Sequence, residues 1–172
     1  MGMEAAALVS VQEYLSTSYS PDREYIDGVV LERNVGERDH GKTQIVLGAW
    51  LYNRQKELGI WVYPEQRVQV KPTHYRVPDL CVVAGEDVRE PIFTRPPFLC
   101  IEILSRDDRV GDVLDKIDDY LSFGVAYVWV IDPLRRRAYV HTADGSHEAK
   151  DGILRTANPE IAVPLDEIFA AL

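Results

Sequence analysis

A single α/β domain built on a mixed sheet follows from three observations on the 172-residue chain. Phe98 to Ser105, Val110 to Phe123 and Tyr127 to Ile131 read in turn as a strand, a helix and a buried strand. That order is a βαβ crossover, right-handed, with its two strands parallel. Elsewhere, short β-rich runs are separated by tight-turn signals at Asp27-Gly28 and Asp144-Gly145, which predict antiparallel hairpins in the same architecture. No internal repeat or linker interrupts the pattern, so residues 1–172 are expected to form one domain.

Each element has its own signature. Ser10-Val11-Gln12-Glu13 has the form of a capping box and predicts a short helix over Val11 to Thr17. Glu24 to Glu32 reads as a hairpin turning at Asp27-Gly28. A polar link, Arg33 to Asp39, leads into a helix predicted over His40 to Leu58. Ile45, Ala49 and Tyr52 form its apolar face, widened by Val46, Trp50 and Leu51, and Gly59 closes it. Ile60 to Tyr63 and Gln66 to Lys71 read as strand segments parted by Pro64, with Val68 and Val70 turned inward. After the turn Pro72-Thr73-His74, Tyr75 to Val83 is taken as one strand. Gly85 to Pro97 is a charged loop with three prolines, long enough to move as a lid. The crossover helix carries an apolar stripe of Val110, Val113, Leu114, Ile117 and Leu121 and ends at Gly124. A final hairpin is expected around Asp144-Gly145, and a terminal helix over Pro164 to Leu172.

Composition narrows the partners. The chain is 46% hydrophobic and 27% charged, with 28 acidic against 19 basic residues and a net charge of −9. A field of that sign repels nucleic acid, so such a partner requires a local basic patch or a metal ion. The arginine triplet Arg135-Arg136-Arg137 reads as a solvated turn rather than that patch. Cys81 and Cys100, the two cysteines, sit within strand-like runs and are expected as free, buried thiols. The apolar run near the N-terminus lacks a basic flank and is too short for a signal peptide or a membrane span, so a cytoplasmic location is expected.

The chemistry concentrates in two runs, Tyr75 to Val83 and Phe98 to Ser105. Each carries one carboxylate, Asp79 or Glu102, where a buried strand would otherwise have none. A buried ionised carboxylate is costly unless it is paired, hydrogen-bonded or bound to a cation. Antiparallel pairing of the runs sets Asp79 beside Glu102 and Cys81 opposite Cys100. The two acids suit a hard cation, Mg²⁺ or Mn²⁺, better than the mixed Asp, Glu, Cys, Cys set suits zinc. The plainer alternatives are a turn residue for Asp79 and an ion pair with Arg76 or Lys116 for Glu102. Asp112, Lys116 and Tyr120 recur at i, i+4, i+8 and so share one helix face, on which Lys116 either reaches the acids or pairs with Asp112.

Val77-Pro78-Asp79, Ile101-Glu102-Ile103-Leu104-Ser105, the helix pattern Asp112, Lys116, Tyr120, Gly124-Val125, and Tyr127-x-Trp129-Val130-Ile131-Asp132-Pro133 together resemble the bacterial Uma family of restriction-endonuclease-like proteins. That family lies within the PD-(D/E)XK nuclease superfamily. Glu24 to Val30 and His40 are similar to it as well, so the resemblance runs from about Ser10 to Pro133. It implies a restriction-endonuclease-like core of helix, antiparallel meander, crossover helix and fourth strand. It also implies Mg²⁺ (or Mn²⁺) held by Asp79, Glu102 and the Ile103 carbonyl, with DNA phosphodiester bonds as substrate. The superfamily's E-x-K lysine falls on Leu104, and Lys116 is the expected substitute as the third catalytic residue. His40 and Gln66 fall at the periphery, where a cap or surface role suits His40. The alternative is a nuclease fold retained as a binding or interaction module, with a homodimer as one form of it.

Overall fold

The computed structural model describes residues 7–34 and 36–172. Part of the N-terminal apolar run and Val35 of the Arg33–Asp39 link lie outside the described residues. The elements in order are α1 (Val11–Ser16), β1 (Glu24–Ile26), β2 (Val29–Leu31), α2 (Arg38–Tyr52), α3 (Gln55–Leu58), β3 (Ile60–Pro64), β4 (Val68–Lys71) and β5 (His74–Arg76). They continue with β6 (Leu80–Ala84), β7 (Leu99–Ile103), α4 (Val110–Phe123), β8 (Tyr127–Asp132), β9 (Arg137–Thr142), β10 (Gly145–Glu148), β11 (Ile153–Thr156), β12 (Ile161–Pro164) and α5 (Leu165–Phe169). No helix among the described residues is long and apolar enough to cross a membrane.

A six-stranded mixed sheet, in the order β10-β9-β8-β7-β6-β3, forms the centre. β7 and β8 are parallel and joined through α4, as the crossover requires, and the other neighbours are antiparallel. One face packs α2, α5 and the β11–β12 hairpin over Leu80, Leu99, Ile101, Ile103 and Trp129. The opposite face packs α4, β4 and Phe93 over Cys81, Cys100, Val128 and Val130. Strand alternation therefore sends Ile101 and Ile103 to one layer and Cys100 and Glu102 to the other. Cys81 pairs with Cys100 in the expected register, and both thiols are free and buried.

A smaller sheet, β2-β1-β5-β4, stands beside the first. Tyr14 of α1 is fully buried against Tyr25 and Tyr75, with its ring centroid 4.9 Å from that of Tyr25. Ser10 caps α1 by accepting the Glu13 amide at 3.1 Å. Asp27 and Gly28, at φ 47 and 94, make the turn between β1 and β2.

Five expectations change. Tyr75 to Val83 is not one strand: β5 belongs to the small sheet and β6 to the large one, with Val77-Pro78-Asp79 as the corner between them. Pro78 has no N–H for a ladder, and the Val77 amide donates to Glu24 Oε1 at 3.0 Å. The helix predicted to Leu58 breaks at Asn53-Arg54, where the Arg54 amide turns back to Leu51 O and its guanidinium lies 3.9 Å above the Trp50 ring.

The same helix buries Thr43, Leu47 and Leu51 and leaves Ile45 and Tyr52 outside. In α4, Ile117 and Tyr120 are buried while Val110 and Leu114 are exposed. The 85–97 loop is anchored rather than free, because Phe93 is buried and exchanges backbone hydrogen bonds with Arg67 and Gln69. Gly124 ends α4 at φ 109, and a Cβ there would also press Pro96 Cγ at 3.2 Å. The β11–β12 hairpin was not anticipated at all.

A buried ion network fastens the small sheet to α4. Arg76 Nε and Nη2 both lie 2.8 Å from Asp119 Oδ2, and Nη1 lies 3.0 Å from Glu24 Oε2. Lys71 Nζ adds a 2.8 Å contact to Asp119 Oδ1. Burial alone would raise the Asp119 carboxyl, but Lys71 and Arg76 outweigh it and hold it below its ordinary range.

Two measurements check this packing. Leu47, with no exposure, loses about 2–5 kcal/mol of stability on substitution by alanine in urea unfolding. Ile45, 66% exposed, changes by no more than about 0.5 kcal/mol when replaced in the same way. Asp119→Asn is less stable than the parent at pH 7 by about 3 kcal/mol, because it breaks a buried pair. A depressed carboxyl contributes stability that is present above its unfolded pKa, about 3.9, and lost as pH falls through the folded value. The gap between Asn variant and parent therefore narrows on acidification below about pH 4. A gap that stayed constant down to the acid transition would contradict the paired state of Asp119.

Candidate active site

Asp79 reaches its position because the corner ends the small sheet one residue before β6 begins. Its carbonyl accepts from Gln44 Nε2 at 2.9 Å and from the Glu65 amide at 3.2 Å, so α2 and the residue that follows β3 both hold the corner. Its side chain is buried, and each oxygen has donors. Oδ1 lies 3.0 Å from Arg33 Nη2 and 3.3 Å from His40 Nε2, and Oδ2 accepts the Ile103 amide at 2.7 Å. Burial would raise the Asp79 carboxyl, but these partners prevail and hold it below its ordinary range.

Glu102 is the next-to-last residue of β7, on the same sheet face. The ladder pairs Leu80 with Ile101 and Cys81 with Cys100, which in continuation sets Asp79 beside Glu102. Glu102 Oε1 accepts the Tyr120 hydroxyl at 2.7 Å, and Oε2 lies 3.0 Å from Lys116 Nζ. Lys116 and Tyr120 stand one helical turn apart on α4, so one helix face delivers both donors to one carboxylate. Lys116 also lies 3.3 Å from Glu24 Oε1 of β1.

Burial lowers the Lys116 ammonium, yet Glu102, Glu24 and Asp79 overcome that and hold it above its usual range. Lys116 Nζ thus sits between two carboxylates, Glu102 and Glu24. Burial pushes Glu102 upward; Lys116 pulls against this, while Asp79 and Glu24 add to it. The Tyr120 phenol is pushed well up by burial and by Glu102, so it stays a donor.

Asp79, Glu102, Lys116, Glu24, Arg33 and His40 line one open cavity of about 600 Å³, bounded also by Ile103, Ser105 and Arg109. Its outer rim is acidic, with Asp107, Asp108, Asp112 and Asp115. Among the described residues, no three His, Cys, Asp or Glu side chains gather as a metal-holding group. The side-chain donors at the cavity floor are the carboxylates of Asp79 and Glu102, and Ile103 lines the same cavity. Mg²⁺ is commonly held by one or two carboxylates with water completing its octahedron, so the residues present fit such an ion. The crowding of Asp79, Glu102 and Glu24 that raises Glu102 is negative charge a cation would relieve.

Of the residues singled out from the sequence, Asp79, Glu102, Ile103 and Lys116 come together here. Lys116 pairs with Glu102 and Glu24, not with Asp112, and Arg76 turns to Glu24 and Asp119 rather than to Glu102. Leu104 packs into the apolar layer that also takes up Val113. Gln66 lies outside the site, donating to Arg67 O and Pro91 O. His40 is no surface cap, since it contacts Asp79. Arg33 and Glu24 were not singled out. Arg33 sits in a polar link without periodicity. Glu24, like Asp79, opens a short apolar run, a signal that was present.

The Uma2 family profile, described as "Putative restriction endonuclease", matches residues 11–166. Among solved structures, a putative nuclease of the family DUF820 from Anabaena variabilis ATCC 29413 is similar to the chain at a TM-score of 0.82 and 22% identity. That similarity spans 95% of this chain and 98% of the other, and establishes the fold. No curated protein matches the chain. With nearly its whole length matched by the family profile, the chain belongs to the Uma2 family of putative restriction endonucleases.

Proposed function

We propose that the protein is a Mg²⁺- or Mn²⁺-dependent endonuclease that hydrolyses DNA phosphodiester bonds at the floor of the cavity shared by Asp79, Glu102 and Lys116. The observation that carries this reading is the gathering of Asp79, Glu102 and Lys116 in one open cavity, beyond the Glu102–Lys116 ion pair alone. Asp79, Glu102 and the Ile103 carbonyl would hold the cation, which when bound supplies Lewis-acid polarisation of water and shielding of the phosphate.

The chain's own residues do the rest. Lys116, fixed as a cation by Glu102 and Glu24, directs positive charge at the phosphoryl oxygens as negative charge grows on them. Tyr120 and the Ile103 amide fix the outward geometry of Glu102 and Asp79, so little reorganisation is needed when substrate arrives. In the hydrolysis itself, the oxygen of water bonds to phosphorus, one P–O ester bond breaks, and the departing oxygen takes up a proton.

Leu104 supports a second reading, a nuclease fold that binds without turnover, because the strand position of the superfamily's lysine is apolar. Plasmid and linear DNA incubated with Mg²⁺ or Mn²⁺ separate the two. The wild-type protein cleaves, and Asp79→Ala and Lys116→Ala each lose about 100-fold or more, as removal of a preorganised charge does elsewhere. Calorimetry with Mn²⁺ gives binding to the wild type that Glu102→Ala abolishes. Equal cleavage by all three proteins would refute the mechanism. Metal binding without cleavage of any nucleic acid in a broad panel would favour the binding module.

A further inference from the structure

Asp79 carries more basic neighbours than its pairing requires. Arg33 and His40 both approach the same oxygen, Oδ1, while Oδ2 is given to the Ile103 amide. Both side chains are mostly buried, at 12% and 11% exposure, so neither contact is a loose surface encounter. The histidine is positioned from behind. A Cβ on Gly36 would stand 2.9 Å from His40 Nδ1, so a glycine there leaves room for the ring at Asp79. Arg33 has less to hold it: its other acidic partner is Glu65, 3.7 Å away and half exposed. Arg76, by contrast, is clamped between Glu24 and Asp119, and Lys116 between Glu24 and Glu102.

Resting on the metal-dependent reading above, we propose that Arg33 competes with the divalent cation for Asp79 Oδ1 and, once displaced, binds a phosphate group of the substrate from the cavity wall. The guanidinium and a cation cannot both occupy the near side of one carboxylate oxygen without like-charge repulsion, so binding one weakens the other. The guanidinium fork lines the same cavity as Lys116 and Arg109, and its planar donor pair matches two phosphate oxygens. In a cavity whose rim is acidic, such a donor is switched from an internal carboxylate to an external phosphate by the event that prepares the site for substrate. His40, held against Gly36, stays with Asp79 and keeps the carboxylate oriented.

The test uses the whole chain and two independent titrations. Mn²⁺ is titrated calorimetrically into wild type, Arg33→Met and Arg33→Gln. Binding of a labelled DNA duplex is followed by fluorescence anisotropy with Ca²⁺ in place of Mn²⁺. Removing the guanidinium tightens Mn²⁺ binding by about tenfold, within the usual range of coupling between sites, and weakens duplex binding by a similar factor. A residue with a purely structural role would weaken both. Unchanged or weaker Mn²⁺ binding in folded Arg33 variants, beside a wild type that binds Mn²⁺, overturns the competition and leaves the metal site standing. Tighter Mn²⁺ binding with unaltered duplex affinity overturns the phosphate role. If neither the wild type nor the variants bind Mn²⁺, the metal-dependent reading itself fails, and this inference with it. Arg33→Gln retains a hydrogen-bond donor at Asp79, which keeps the comparison available if Arg33→Met does not fold.

Discussion

Burying two carboxylates at the end of a sheet obliges the chain to bring a donor to each of their four oxygens. An unmatched buried charge costs several kcal/mol or shifts its protonation instead. The donors here come from every part of the fold: Arg33 from the link after β2, His40 from the first turn of α2, the Ile103 amide from β7, and Lys116 and Tyr120 from α4. The corner Val77-Pro78-Asp79 makes this convergence possible. By ending one sheet and starting another, it places an aspartate where α2, β7 and the link after β2 all reach it.

Glu24 shows how far that constraint extends. It lies in the small sheet, yet its two oxygens hold the Val77 amide, Arg76 and Lys116. It therefore fixes the corner that carries Asp79 and the lysine that faces Glu102. Arg76 passes the same constraint on to Asp119, so α4 is tied to the small sheet on one side and to the central sheet on the other. Leu104 packs into the apolar layer, and Lys116 comes to Glu102 from α4 with Glu24 as its second partner.

Much of this was readable from residue order. Setting Asp79 opposite Glu102 in an antiparallel pair puts Cys81 opposite Cys100, and the ladder has that register. Spacing on one helix gave Lys116 and Tyr120 a common target. The face of α2 was not readable, because Thr43-Leu47-Leu51 and Ile45-Ala49-Tyr52 are both helical rows and only the facing sheet chooses between them. The corner at Pro78 hid inside what looked like a continuous strand. Arg33, His40 and Glu24 meet their partners across dozens of residues, and no local periodicity marks such contacts.

A crystal of the protein soaked in Mn²⁺ decides between a cation site at Asp79 and Glu102 and none, through the anomalous scattering of the metal. One strong peak is expected within coordinating distance of both carboxylates and of the Ile103 carbonyl, with Lys116 still on Glu102. A fully soaked crystal with no peak there, or with its peak among Asp107, Asp108 and Asp112 on the rim, would contradict that site.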